Sequence, residues 1–199
     1  MPYPAKFVKV KPGDSPLEVE DQAIIYFLAP DYLQGTMTEE QYWDLTNRLL
    51  SLLAERYPKS PLYVKLHPSD VGDALRHLMA PGWRVLKKTV SPEEISIWNR
   101  GRIRAVYSAC SSSSLTAAAF DIPSYVTYPL VLGPRPMMGY WDRFFSPAAG
   151  KLFTVHEWDG LGRGEVPRGD DPGWEGRERS RWEQCLRELI SAMRSRVGK

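Results

Sequence analysis

Tyr63-Val64-Lys65-Leu66-His67-Pro68-Ser69-Asp70 is the stretch from which the fold is read. Its apolar residues alternate or cluster as they do at the end of a buried strand, and the chain then turns at His67-Pro68. Proline fixes its own φ and pushes the preceding residue toward extended geometry. His67 is therefore held at the carboxyl end of a strand, where open α/β sheets receive their ligands. An imidazole there can donate to a phosphate or act as an acid near neutral pH.

Outward from this strand the chain alternates. Upstream, Ala23-Ile24-Ile25-Tyr26-Phe27-Leu28 is an unbroken apolar run closed by Ala29-Pro30, the pattern of a strand buried on both faces in a parallel sheet. Between the two strands, Thr38-Glu39-Glu40-Gln41 has the form of a capping box. It predicts a helix with Tyr42, Leu45, Leu49, Leu52 and Leu53 inward, ending near Tyr57-Pro58. Downstream, Ser69 or Asp70 caps a short expected helix carrying Ala74, Leu75 and Leu78, and Pro81-Gly82 breaks it. Trp83–Leu86 is a third strand. Ser91-Pro92-Glu93-Glu94 starts a helix running to about Arg100-Gly101. Ile103–Ser108 is a fourth strand, Leu115–Phe120 a helix and Ser124–Tyr128 a fifth strand. The order β-α-β-α-β-α-β-α-β predicts an α/β fold, a Rossmann-like parallel sheet with helices on both faces.

Residues 1–20 read as a linker or arm, and residues 21–199 as one domain. After Pro129 the expectation is loops, with a short helix near Trp141–Phe145 and a strand at Lys151–Val155. The glycine-rich residues 160–176 read as a flexible loop. Arg177–Val197 reads as a long C-terminal helix with Trp182, Leu186, Leu189, Ile190 and Met193 as its apolar stripe.

Composition excludes several classes. The 199 residues suffice for one well-buried domain. A net charge of +2 gives no reason to expect nucleic acid as a partner. No apolar run approaches the roughly 20 residues of a membrane span, and the N-terminus has no hydrophobic signal region. Two cysteines, Cys110 and Cys185, make no disulfide framework and fit a reduced, cytoplasmic protein. Cys110 reads as strand packing. No Gly-x-Gly-x-x-Gly or Gly-Lys-Ser/Thr pattern occurs, so those nucleotide-binding motifs are not supported.

Three features fall at strand ends or at helix starts after strands, so all should open on one edge of the sheet. They are His67-Pro68, Pro92-Glu93-Glu94 and Ser111-Ser112-Ser113-Ser114. Backbone N–H groups at a helix N-terminus are unpaired and carry the positive end of the dipole; adjacent hydroxyls would complete a phosphate cradle. The plainer reading is that one serine caps the helix and the others fill the loop. Glu94 has two readings as well: complementing the helix dipole, or accepting from ribose hydroxyls. His77 is expected on an exposed helix face. His156 with Glu157 and Asp159 fits no trusted metal-ligand spacing. Arg135 and Trp141 are placed at the cleft edge.

"IIYFLAP…GTMTEEQYWDLTNRLL", "YVKLHP", "VSPEEISIW" and "AVYSACSSSSLTAAAFDIPSY" together resemble the C-terminal, donor-binding domain of bacterial sialyltransferases and polysialyltransferases, enzymes of the GT-B fold. The resemblance covers residues 23–128 and rests on three short motifs in order. It implies a CMP-linked sugar acid as donor, a glycan as acceptor and no metal or other cofactor. It implies His67, with Pro68, at the CMP phosphate and assisting leaving-group departure, Glu94 on the cytidine ribose, and Ser111-Ser112, blurred by Ser113 and Ser114, at the phosphate. The transfer implied is inverting, and the protein neutralises the departing phosphate.

One departure is large. The family's general base is an acidic residue of a separate N-terminal domain, and no sequence before Ala23 builds that half. The expectation is an excised domain, a second chain supplying the acceptor half, or a binding module inactive alone. A CMP-Kdo or CDP-linked donor in capsule biosynthesis is the alternative enzyme reading, and a non-catalytic nucleotide-binding module the alternative outside enzymes. Peripheral seating at the inner membrane through partners stays open.

Overall fold

The computed structural model describes residues 19–29, 37–68, 77–86, 90–132, 141–142, 145 and 152–158. Six strands form one parallel sheet: β1 (Ala23–Phe27), β2 (Leu62–Lys65), β3 (Trp83–Leu86), β4 (Ile103–Ser108), β5 (Ser124–Val126) and β6 (Leu152–Thr154), in the spatial order β3-β2-β1-β4-β5-β6. That is the doubly wound, Rossmann-like order, whose direction reverses between β1 and β4. β1 is central because both its faces are apolar. Ile24, Tyr26 and Leu28 enter one core with Leu62, Val64, Ala105 and Tyr107; Ala23, Ile25 and Phe27 enter the opposite core with Tyr63, Ile103 and Val106. A strand with no polar face must be covered twice.

The register of β4 on β1 slips between Ala23 and Ile24, pairing them with Ile103 and Ala105. Arg104 is the extra residue. It is exposed, and its guanidinium lies 5.0 Å from the centre of the Tyr57 ring. The slip puts Ile103 and Val106 on one face despite their odd spacing, as a bulge does.

Helix α1 (Glu39–Arg56) covers the Ile24/Tyr26 face. Thr38 and Gln41 close the expected capping box, each side chain accepting from the other's backbone N–H. The buried stripe is Tyr42, Trp43, Thr46, Asn47, Leu49, Leu50 and Leu53, while Leu45 and Leu52 are only partly buried. The helix is thus rotated toward Trp43 and Asn47 relative to the leucine pattern. The buried amide accounts for this rotation. Asn47 donates to the His77 carbonyl at 2.7 Å and accepts from Met79 N–H at 2.9 Å. It ties α1 to the segment entering β3 and satisfies backbone groups that water would otherwise hold.

Helices α2 (Pro92–Trp98) and α3 (Ser112–Ala119) carry residues of the other face. α2 stops earlier than its sequence suggests because Asn99 leaves helical geometry as C-cap. Buried Asn99 accepts from Val19 N–H at 3.0 Å and donates to the Ile95 carbonyl at 3.0 Å. α3 begins three residues before the expected Leu115, because Ser111 caps it. The fifth strand was expected to reach Tyr128 but ends at Val126. Thr127 donates twice to the Ser108 carbonyl, from N–H at 2.9 Å and Oγ1 at 3.2 Å. Its own carbonyl accepts from Leu130 and Val131 N–H and starts helix α4 (Tyr128–Leu132). Pro129 sits in the first turn, where its missing N–H costs nothing.

β6 falls within the expected Lys151–Val155, and Trp141, Asp142 and Phe145 are helical where a short helix was expected. The arm before residue 19, Ser69 and the short helix after it, Arg135, Asp159, the 160–176 loop, Cys185 and the C-terminal helix lie outside the described residues. Among the described residues no helix is long and apolar enough to cross a membrane.

Three outcomes follow from this packing. Ile25→Ala should cost about 2–5 kcal/mol in urea-induced unfolding, since the side chain is fully enclosed. Thr38→Ala should cost about 1 kcal/mol through the cap alone. Burial, reinforced by its 2.7 Å bond with Tyr57, raises the Tyr107 phenol above the ordinary 10.0. The folded chain therefore keeps a proton that the unfolded chain releases near that pH. Stability from this pair is complete below it and falls as pH rises through and beyond it, which denaturation midpoints measured across alkaline pH will record.

Candidate functional site at the carboxyl edge of the sheet

The strand register defines the site's floor. Leu86, Lys65, Phe27, Ser108, Val126 and Thr154 form one row across the sheet at its carboxyl end. Every candidate lies beyond that row in the chain. His67 is two residues past Lys65, and Ser111 three past Ser108. β2 and β4 flank β1, so the two segments leave the sheet two strand spacings apart, roughly 10 Å. Between them is the β1/β4 reversal point, where doubly wound sheets open a crevice.

His67 is half-buried and Pro68 exposed. This fits a turn that leaves the sheet directly at its carboxyl edge.

The four serines have separate places. Ser111 is half-buried and extended (φ −97°, ψ 134°), and its hydroxyl accepts from Ser113 N–H at 3.2 Å, capping α3. Ser114 is fully buried and shares a 2.7 Å hydroxyl–hydroxyl bond with buried Ser108. Ser108 Oγ also accepts from Ser111 N–H at 3.2 Å. Ser113 is 7% exposed, whereas Ser112 is exposed in the first helical turn. The run therefore divides into buried or half-buried, mutually bonded serines and one exposed serine. Ser108, Ser111 and Ser114 lock the strand-to-helix corner, and Ser112 presents a hydroxyl beside the positive end of α3.

Glu94 is the third residue of α2. Its carboxylate accepts from Ser91 N–H at 2.8 Å while Ser91 Oγ accepts from Glu94 N–H at 3.1 Å. This is a second capping box, and one carboxylate oxygen is committed to it. A carboxylate has about four lone-pair sites, so acceptor capacity remains on both oxygens. Glu93 is also half-buried in the same turn.

Lys65 was not singled out in the sequence reading and is the least ordinary residue of the edge. It is 2% exposed, and its ammonium donates to the Leu66 carbonyl at 2.9 Å. Lysine is almost never this buried unless its charge is compensated. It places a cation at the end of β2, two residues before His67. The available signal was a lysine at a buried position of an otherwise apolar strand.

Other candidates are set apart. His77 is exposed, stacked on Trp43 at 5.3 Å and 3.9 Å from Glu39. Cys110 is buried beside Leu115 and Val126 in a third core. Trp141 stacks on Phe145 and packs at the margin of that core, which includes Ala109, Cys110 and Leu115 on either side of the serine run. His156 and Glu157 follow β6, and among the described residues no group of three or more His, Cys, Asp or Glu side chains could hold a metal ion.

These placements separate buried, bonded serines from an exposed one. Ser114→Ala leaves the Ser108 hydroxyl with a lost partner in the core and should cost about 1–3 kcal/mol in chemical denaturation. Ser112→Ala, at an exposed position, should change stability by no more than about 0.5 kcal/mol.

No protein-family model matches the chain, and no curated protein does. Solved structures similar to it include Spinosyn Rhamnosyltransferase SpnG, 13% identical with a TM-score of 0.43, over 70% of this chain and 32% of that one. Thermosulfurimonas dismutans KpsC, beta Kdo 2,4 transferase, is similar at 11% identity and a TM-score of 0.35, over 63% of this chain and 37% of the other. The chain thus spans about a third of the length of these two proteins, and neither likeness is close enough to indicate a family.

Proposed function

We propose that residues 21–199 form the nucleotide-sugar-binding half of a sialyltransferase-like GT-B glycosyltransferase, with residues 1–20 as an arm, and that the carboxyl edge holds a CMP-linked sugar acid. The observation that carries this reading is the serine-capped N-terminus of α3 at the β1/β4 reversal point, with His67 on the flanking strand end. A helix N-terminus with an exposed hydroxyl suits a phosphate, and an imidazole on the opposite side suits the same group from a second direction.

In this reading Ser112 receives the phosphate through its hydroxyl and its own backbone N–H at the start of α3. Glu94 meets the ribose through the acceptor positions not used by Ser91. His67 donates to the bridging or non-bridging phosphate oxygen. Transfer proceeds by attack of an acceptor hydroxyl on the anomeric carbon. The bond from that carbon to the phosphate oxygen breaks, and the electron pair leaves with CMP. His67 neutralises the departing phosphate by hydrogen bonding or by giving up its proton. The acceptor's proton passes to a base contributed by a separate acceptor domain or second chain, which also seats the glycan. Charge compensation by the helix terminus, hydroxyls, imidazole and the buried Lys65 assigns the phosphate no metal.

Calorimetric titration of the chain with CMP, CDP and CMP-sialic acid tests the reading. CMP and CMP-sialic acid should bind, and His67→Ala and the double change Ser111→Ala/Ser112→Ala should each weaken CMP by roughly 1–3 kcal/mol, the worth of a lost hydrogen bond to a charged group. Absence of binding by CMP overturns the enzyme reading. Binding that survives both substitutions unchanged removes the site assignment.

A further inference from the structure

Beyond the serine corner, the same carboxyl edge carries an open cleft of about 450 Å³, lined among the described residues by Pro129, Leu130, His156, Glu157 and Trp158. Two strand ends build it. Pro129 and Leu130 belong to the first turn of α4, which follows β5. His156, Glu157 and Trp158 follow β6, whose neighbour is β5. From the β1/β4 reversal point to the β5/β6 pair is two strand spacings, roughly 10 Å. The cleft therefore shares the ligand edge with the serine corner without being the same place.

Its chemistry is specific. Trp158 is half-buried and packs against the core under α1. The Arg48 guanidinium lies 4.7 Å from the centre of its ring. That cation sits over the indole, and the part of the ring left exposed lines the cleft. Pro129 and Leu130 add half-buried apolar surface. Glu157 and His156 are exposed at its rim, one an acceptor and the other able to accept or donate. An aromatic surface, a small apolar wall and a few polar groups at the margin fit a ring with one apolar C–H face and hydroxyls around its edge. Glu157 offers an acceptor to hydroxyl donors, and its charge is offset by the Arg48 cation on the indole, a balance that suits a neutral ligand.

We propose that this cleft is a binding site for a neutral pyranose, such as a residue of a glycan chain. Trp158 packs on the C–H face of the ring, Glu157 accepts from its hydroxyls and His156 completes the polar rim. The site does not depend on nucleotide binding at the serine corner.

Saturation-transfer NMR on the full chain with methyl β-galactoside, methyl β-glucoside and N-acetylglucosamine tests it. At least one sugar should receive saturation at its ring protons, and saturating CMP should leave that signal in place. Trp158→Ala should weaken the affinity about three- to tenfold, the range expected for one lost stacking contact. Since Trp158 also packs on the core, Glu157→Ala provides an independent variant at an exposed position, and it too should weaken binding. The proposal is overturned if none of the three sugars receives saturation, if Glu157→Ala binds as well as the unaltered chain, or if CMP displaces the sugar.

Discussion

β1 has no polar face and no free side. Its side chains from Ala23 to Phe27 are all buried, and its backbone is paired with β2 on one edge and β4 on the other. An apolar strand of this kind is stable only if strands flank it and helices cover both its faces. Parallel neighbours need long crossovers, so the helices that cover the sheet also connect it. The placing of functional groups follows from that. Every strand runs the same way, so every strand-to-helix turn opens at one edge, and His67, the serines and the residues after β6 are collected there though far apart in sequence.

The serine corner shows how a structural need and a binding surface share a few residues. Ser108, Ser111 and Ser114 satisfy one another and the backbone in the turn from β4 to α3. This fixes the helix N-terminus against the sheet, takes up the Ser111, Ser113 and Ser114 N–H groups, and leaves Ser112 facing solvent at the positive end of the helix. Preorganisation of this kind means that a bound anion does not have to order the loop first. Glu94 is a carboxylate held in place by its own cap, with acceptor positions to spare.

The parallel sheet was legible because β1 is apolar on both faces and because Thr38-Gln41 and Ser91-Pro92 mark helix starts with side chains that bond locally. Local bonds can be read from local sequence. What escaped depended on distant partners. The turn of α1 toward Asn47 is set by His77 and Met79, which lie 30 or more residues away. The early end of β5 is set by the Ser108 carbonyl, and the phase change in β4 by the slip opposite Ala23. At the site, the motif residues fell on the expected edge, but the division of labour among the serines was invisible, since it depends on which hydroxyls the packing buries. Lys65 stands in an apolar run, where a single lysine carries no local sign of burial.

The central claim is that this edge at the β1/β4 reversal receives a nucleotide phosphate. Backbone amide shifts of the isotope-labelled chain during addition of CMP address it residue by residue. The account predicts saturable shifts at Leu66–His67 and Cys110–Ser113, with Ala23, Leu62 and Ile103 at the opposite edge unmoved. Shifts confined to the opposite edge, or none at any of these positions, would contradict it.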